Sequence, residues 1–82
     1  MLLTEKNIID CISKVLQISK KITINSSSKN IEEWDSLAHL NILMVLDKKA
    51  NGKIFSIKEI AKATSVKEII QILKKKKFLK YD

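Results

Sequence analysis

Apolar residues along this chain recur mainly at spacings of three and four, a period that predicts helices. The first helix is expected from about Thr4 to Leu16. Ile8, Ile12, Val15 and Leu16 share one face of it, with Lys6, Asp10 and Lys14 outside. Strict alternation is confined to the short stretch Ile22-Thr23-Ile24. It lies in a long connection, Ser19 to Glu33, rich in Ser, Asn and Lys. Ile18, Ile22, Ile24 and Ile31 punctuate that connection, which suggests a loop pinned to the core. A second helix spans about Ser36 to Ala50 and stops at Asn51-Gly52, a pair suited to a left-handed helix end. Two S-x-x-E capping boxes follow. Ser56 with Glu59 opens a short helix over about 57–63. Ser65 with Glu68 opens a longer one over about 66–77, with Val66, Ile69, Ile70 and Leu73 facing inward. The expected architecture is all-α: a small antiparallel four-helix bundle with a long loop between helices 1 and 2 and a short third helix. The whole chain, 1–82, reads as one domain, with 74–82 a lysine-rich frayed helix end.

A domain of 82 residues buries only about 60 to 65 per cent of its unfolded surface, which leaves little room for a deep catalytic pocket. No apolar run approaches the roughly 20 residues of a membrane helix. Met1-Leu2-Leu3 passes directly into Thr4-Glu5-Lys6, so no secretory signal is expected and the chain reads as cytoplasmic. The single cysteine, Cys11, excludes an internal disulfide and a multi-cysteine metal site, and reads as a packed or half-exposed thiol.

The net charge is +7, from 16 lysines and 9 acids, and there is no arginine. That weighs against specific nucleic-acid recognition, where arginine supplies bidentate contacts. The charge is uneven. Residues 30–47 contain Glu32, Glu33, Asp35 and Asp47 and no lysine. Inside that acidic window lies the run Glu33-Trp34-Asp35-Ser36-Leu37. Asp35 suits the cap of the second helix, placing Ser36 in its first turn near the positive end of the dipole, where a phosphate is favoured.

The Asp35-Ser36-Leu37 tripeptide at the head of the second of four expected helices closely resembles the attachment motif of the acyl carrier proteins. In that family the serine bears a 4'-phosphopantetheine arm. The resemblance covers nearly the whole chain: Leu40, Leu43, Met44 and Leu46 match the apolar second helix, and Asp47 the start of its acidic tail. Thr64-Ser65-Val66 resembles the step that opens the last helix. It implies Ser36 as the covalent site of an arm donated by coenzyme A, with Asp35 and Leu37 as its neighbours. Glu33, Trp34, Leu40, Met44 and Asp47 are the implied partner-binding residues. The implied partners are a phosphopantetheinyl transferase, an acyl- or aminoacyl-loading ligase and a downstream acyltransferase, with the carrier a monomer and not itself an enzyme. The cargo would ride as a thioester.

Departures from the family pattern narrow the reading. Lys48 and Lys49 stand where acids are frequent, Ala50 replaces a bulkier apolar residue, and Lys53, Lys58 and Lys62 add positive charge. Charged rims govern encounter and partner choice. Together with Trp34-Asp35-Ser36-Leu37-Ala38-His39-Leu40, this resembles stand-alone carriers of a specialised pathway more than those of general fatty-acid synthesis.

Several residues admit a plainer role. Leu37, Leu40 and Met44 form a helical stripe that suits either core packing or partner docking. Trp34 suits either a lid over the loop or a partner anchor. His39 lies on roughly the same helix face as Ser36 but has no third group to orient it as a base, so it reads as a solvent-facing or partner-contacting residue. A rival reading is a lysine-rich module binding nucleic acid or an anionic surface, carried by Lys74 to Lys77 and Lys80 with Phe78 and Tyr81 interleaved. A carrier-like interaction domain without the arm is the other alternative. No metal site is expected.

Overall fold

Thr4 begins the first helix by reciprocal hydrogen bonding: its hydroxyl accepts from the Asn7 amide, and the Asn7 side-chain oxygen accepts from the Thr4 amide, each at 3.1 Å. In the computed structural model, which describes residues 3–18 and 21–78, that cap opens α1 (Glu5–Leu16). Two further α-helices follow, α2 (Ser36–Lys49) and α3 (Val66–Lys75), with a 3-10 segment (Lys58–Lys62) between them. The described residues contain no strand, only isolated bridge positions, among them an antiparallel pair between Ser27 and Ser65.

The protein is thus small and mostly helical, but the described residues form three α-helices where a four-helix bundle is expected. The difference lies in residues 57–63. The Ser56 hydroxyl does not cap a helix here; it donates to the Lys53 carbonyl at 2.8 Å. Ile57, Ile60 and Ala63 are all buried. A spacing of three brings side chains into line in a 3-10 turn, whereas an α-helix rotates them apart. One short turn also cannot repay the cost of nucleating an α-helix.

α1 packs against both α2 and α3, and the 3-10 segment packs against α2 and α3. α1 buries Ile8, Cys11, Ile12 and Leu16, and α3 buries Val66, Ile69, Ile70 and Leu73, in keeping with their apolar spacing. The long loop is pinned, as Ile22 and Ile31 are buried while Ile24 faces outward. It is also tied to the start of α3 by backbone bonds, Val66 N–H to the Ser26 carbonyl at 3.0 Å and Ser28 N–H to the Thr64 carbonyl at 2.9 Å.

The end of α3 closes through Phe78. Lys77 adopts a left-handed conformation at φ 64° and donates its N–H to the Lys74 carbonyl, while Phe78 N–H reaches the Leu73 carbonyl at 2.8 Å. That pattern is a Schellman cap. Phe78 packs against the core, and its carbonyl accepts from the Leu3 amide at 2.9 Å. Lys80 and Tyr81 lie outside the described residues. No described helix is long and apolar enough to cross a membrane.

Candidate functional site

Asp35 sits in extended backbone at the N-cap of α2, and its carboxylate accepts from the Ala38 amide at 2.8 Å. This satisfies one of the amides that a helix start leaves unpaired. Ser36 is therefore the first helical residue, and it is exposed. Glu32 and Glu33 are also exposed on the approaching loop, so the surface before Ser36 is acidic. Beside the serine lies a cleft of about 330 Å³ lined by Ser28, Trp34, Asp35, Ser36, His39, Ala61 and Thr64. The loop, the head of α2 and the end of the 3-10 segment converge there.

Immediately after Ser36, Leu37 is 68% exposed, Leu40 47% and Met44 52%. They follow at helical spacings of three and four, so one apolar stripe runs from the serine along the outer face of α2. Of the two readings open for these leucines and the methionine, the core reading does not hold. The core face of the same helix is made by His39, Ile42, Leu43 and Leu46. Val45 and Phe55 extend the exposed apolar surface, with Met44, Val45, Asp47, Lys48 and Phe55 lining a shallow hollow at its far end. Nothing in the residue pattern singles out Phe55; of the adjacent pair Ile54 and Phe55, Ile54 is the buried one.

Three expected site residues have other positions or duties. Trp34, expected as a partner contact or a lid, is 2% exposed, so the lid description fits and the indole is not offered to a partner. His39, expected to face solvent or contact a partner, is buried at 5% exposure. It accepts at Nδ1 from the indole Nε1–H of Trp34 at 3.2 Å, and its Nε2 lies 3.0 Å from the Ile60 carbonyl. The two rings stack with centroids 6.1 Å apart. Asp47, expected at a partner rim, is half-buried: its carboxylate accepts from the amides of Ile54 at 2.8 Å and Phe55 at 3.1 Å. Its carbonyl accepts from Gly52 N–H at 2.8 Å, closing α2 through the left-handed Asn51. It shapes the turn; it is not a free acid.

His39 is not available to Ser36 as a base, because both of its ring nitrogens are engaged elsewhere. The described residues include no cluster of His, Cys, Asp or Glu able to hold a metal ion. Cys11 is buried between α1 and α2, and desolvation pushes its thiol up to about 11, against which Lys49 and Lys14 pull only partly. It is chemically quiet at neutral pH. At the opposite end, Lys74 pairs with Glu5 at 3.6 Å and Lys76 with Glu59 at 3.8 Å. With Phe78 folded inward, the aromatic–lysine array imagined for nucleic-acid binding loses one of its two rings. Comparison with family models, with curated proteins and with solved structures gives no match to this chain.

Proposed function

We propose that this protein is an acyl carrier, presenting an acyl or aminoacyl cargo on a 4'-phosphopantetheine arm attached to Ser36. The observation that carries the reading is the pairing of an exposed serine at the first position of α2 with an exposed apolar stripe that starts beside it. A hydroxyl to be modified by an enzyme must protrude, and a carrier must be gripped close to the point of attachment. Ser36 meets the first need, and Leu37, Leu40 and Met44 meet the second.

The residues around Ser36 suit the group. The first-turn amides of α2 favour a phosphodiester on the serine oxygen, as helix starts favour anions generally. Ser28 and Thr64, both able to hydrogen-bond amide groups of an arm, line the adjoining cleft. When attached, the arm supplies a terminal thiol for thioester formation. The Ser36 oxygen would attack coenzyme A at its pyrophosphate, forming the phosphodiester as the P–O bond to the departing 3',5'-ADP breaks and the serine proton passes to a base of the transferase, which also holds the metal ion. The protein's own work is presentation, and it is not a catalyst. Glu33 and Asp35 steer a cationic transferase toward the serine, whereas Lys48 and Lys53 at the far end disfavour enzymes built for uniformly acidic carriers. This supports a dedicated partner set in a specialised pathway over general fatty-acid synthesis.

The test is intact mass before and after incubation with coenzyme A, magnesium and a broad-specificity phosphopantetheinyl transferase, with a known carrier alongside. A gain of one phosphopantetheinyl group is the expected result. No gain in a folded protein, with the control modified, would leave a carrier-like domain without an arm.

A further inference from the structure

Asp35 and Ser36 are the exposed middle of a short segment whose two ends are both buried and bonded to each other. Trp34 enters the core just before them, and His39 does so one turn after, and the indole N–H of the first donates to the imidazole of the second at 3.2 Å. The other imidazole nitrogen meets the Ile60 carbonyl, which belongs to the 3-10 segment. A carbonyl only accepts, and an indole N–H only donates. The bonding pattern therefore requires a neutral imidazole with its proton on Nε2 and its lone pair on Nδ1. One ring thus joins the loop, the head of α2 and the 3-10 segment, the same elements that form the cleft beside Ser36.

We infer that His39 is a positioning residue for Ser36: the Trp34–His39–Ile60 clamp fixes where the serine stands relative to the cleft and to the apolar stripe. The inference rests on the carrier reading. Its physical basis is that α2 and the 3-10 segment are separate short elements, each with its own freedom to shift. Backbone bonds of α2 hold Ser36 only to its own helix. The clamp closes the chain over Asp35 and Ser36 and locks that turn to the cleft's opposite wall. A transferase must recognise the serine and its surroundings together, so a loosened clamp lowers the fraction of carrier in the bindable arrangement. The loss then falls on KM, because the chemistry belongs to the transferase.

The experiment uses the full chain, in which Trp34 is the single tryptophan and His39 the single histidine, so their resonances need no assignment by elimination. In the parent, the indole N–H is expected to exchange slowly and Nδ1 to carry no proton. An indole proton exchanging as fast as a free one overturns the clamp. Transfer kinetics on Ser36 then compare His39→Leu, which fills the space without either bond, with His39→Gln, whose amide offers both a donor and an acceptor. For His39→Leu the carrier KM is expected to rise about tenfold with kcat nearly unchanged, and His39→Gln to recover much of it. Trp34→Phe keeps a ring and removes only the donor, and serves if His39→Leu does not fold; it too should raise KM. Parent-like KM in a folded His39→Leu or Trp34→Phe variant overturns the positioning role. A parent that takes no phosphopantetheinyl group, yet protects its indole proton, overturns the carrier reading and with it any role in positioning a modified serine.

Discussion

α2 and α3 face the same core with opposite economies. α3 buries Val66, Ile69, Ile70 and Leu73 and turns Lys67, Glu68, Gln71 and Lys75 outward. Its composition is what a surface helix needs in order to fold. α2 buries His39, Ile42, Leu43 and Leu46, yet Leu37, Leu40, Met44 and Val45 lie on its outside. The fold explains the inner row of α2 and says nothing for the outer one. A contiguous exposed apolar row, rimmed by charge, is the mark of a surface that meets partners. The exposed Ser36 stands at the head of that helix, and both α2 and α3 begin with a capping side chain.

The comparison is broken most severely by truncating the two rows of α2 in turn. Leu46→Ala on the inner row should cost about 2–5 kcal/mol in urea unfolding, while Leu40→Ala on the outer row should stay within about 0.5 kcal/mol. Equal losses would mean that the outer row is core after all. Next comes the end of α2. Asp47 accepts from two amides of the turn that leads to Phe55, so Asp47→Ala should lower stability by about 1.5–3 kcal/mol, with Asp47→Asn closer to the parent. A neutral result for both would return Asp47 to the role of a rim acid.

The contact between α1 and α2 can be sharpened through Cys11. Its folded-state thiol lies at about 11 against an ordinary 9.0, so between those values the unfolded chain has released a proton that the folded chain keeps. Stability therefore falls as pH rises through that window, by at most about 1.4 kcal/mol per unit. Cys11→Ala should show a shallower fall over the same range; an identical slope would mean that the thiol is not desolvated by α2. The smallest effect belongs to the end of α3, where Lys77 takes a left-handed conformation that glycine adopts without strain. Lys77→Gly should raise the thermal midpoint, by about 0.5–1 kcal/mol in stability terms, whereas no gain would show the cap to be unstrained.

Much of this was legible in the residue pattern, because helix periodicity and capping chemistry are local. The three α-helices lie within a few residues of their expected spans, and Asp35, the Ser65 cap and the Asn51-Gly52 stop match the pattern, although the Glu68 carboxylate accepts from the Ser65 hydroxyl and not from its backbone amide. The Thr4–Asn7 cap lacks the usual sequence signature, because asparagine replaces Glu or Gln in the capping box. The 3-10 segment differs from the α-helix expected there because the Ser56–Glu59 box does not form: the Ser56 hydroxyl bonds back to the Lys53 carbonyl instead. The buried places of Trp34 and His39 depend on the Ile60 carbonyl, which lies far along the chain and offers no side-chain signature. The exposure of Leu37, Leu40 and Met44 was ambiguous for a related reason. α2 is apolar on two sides, and only its contacts with α1 and the 3-10 segment decide which side is inner.

The central claim is that Ser36 carries a covalent arm. It is tested most directly by incubating the parent and Ser36→Ala with coenzyme A, magnesium and transferase, then mapping any added mass by fragmentation. The account predicts one phosphopantetheinyl group on the peptide containing Ser36, none on the folded alanine variant, and matching helical spectra for the two. Added mass on the variant, or on any residue other than Ser36 in the parent, would contradict it.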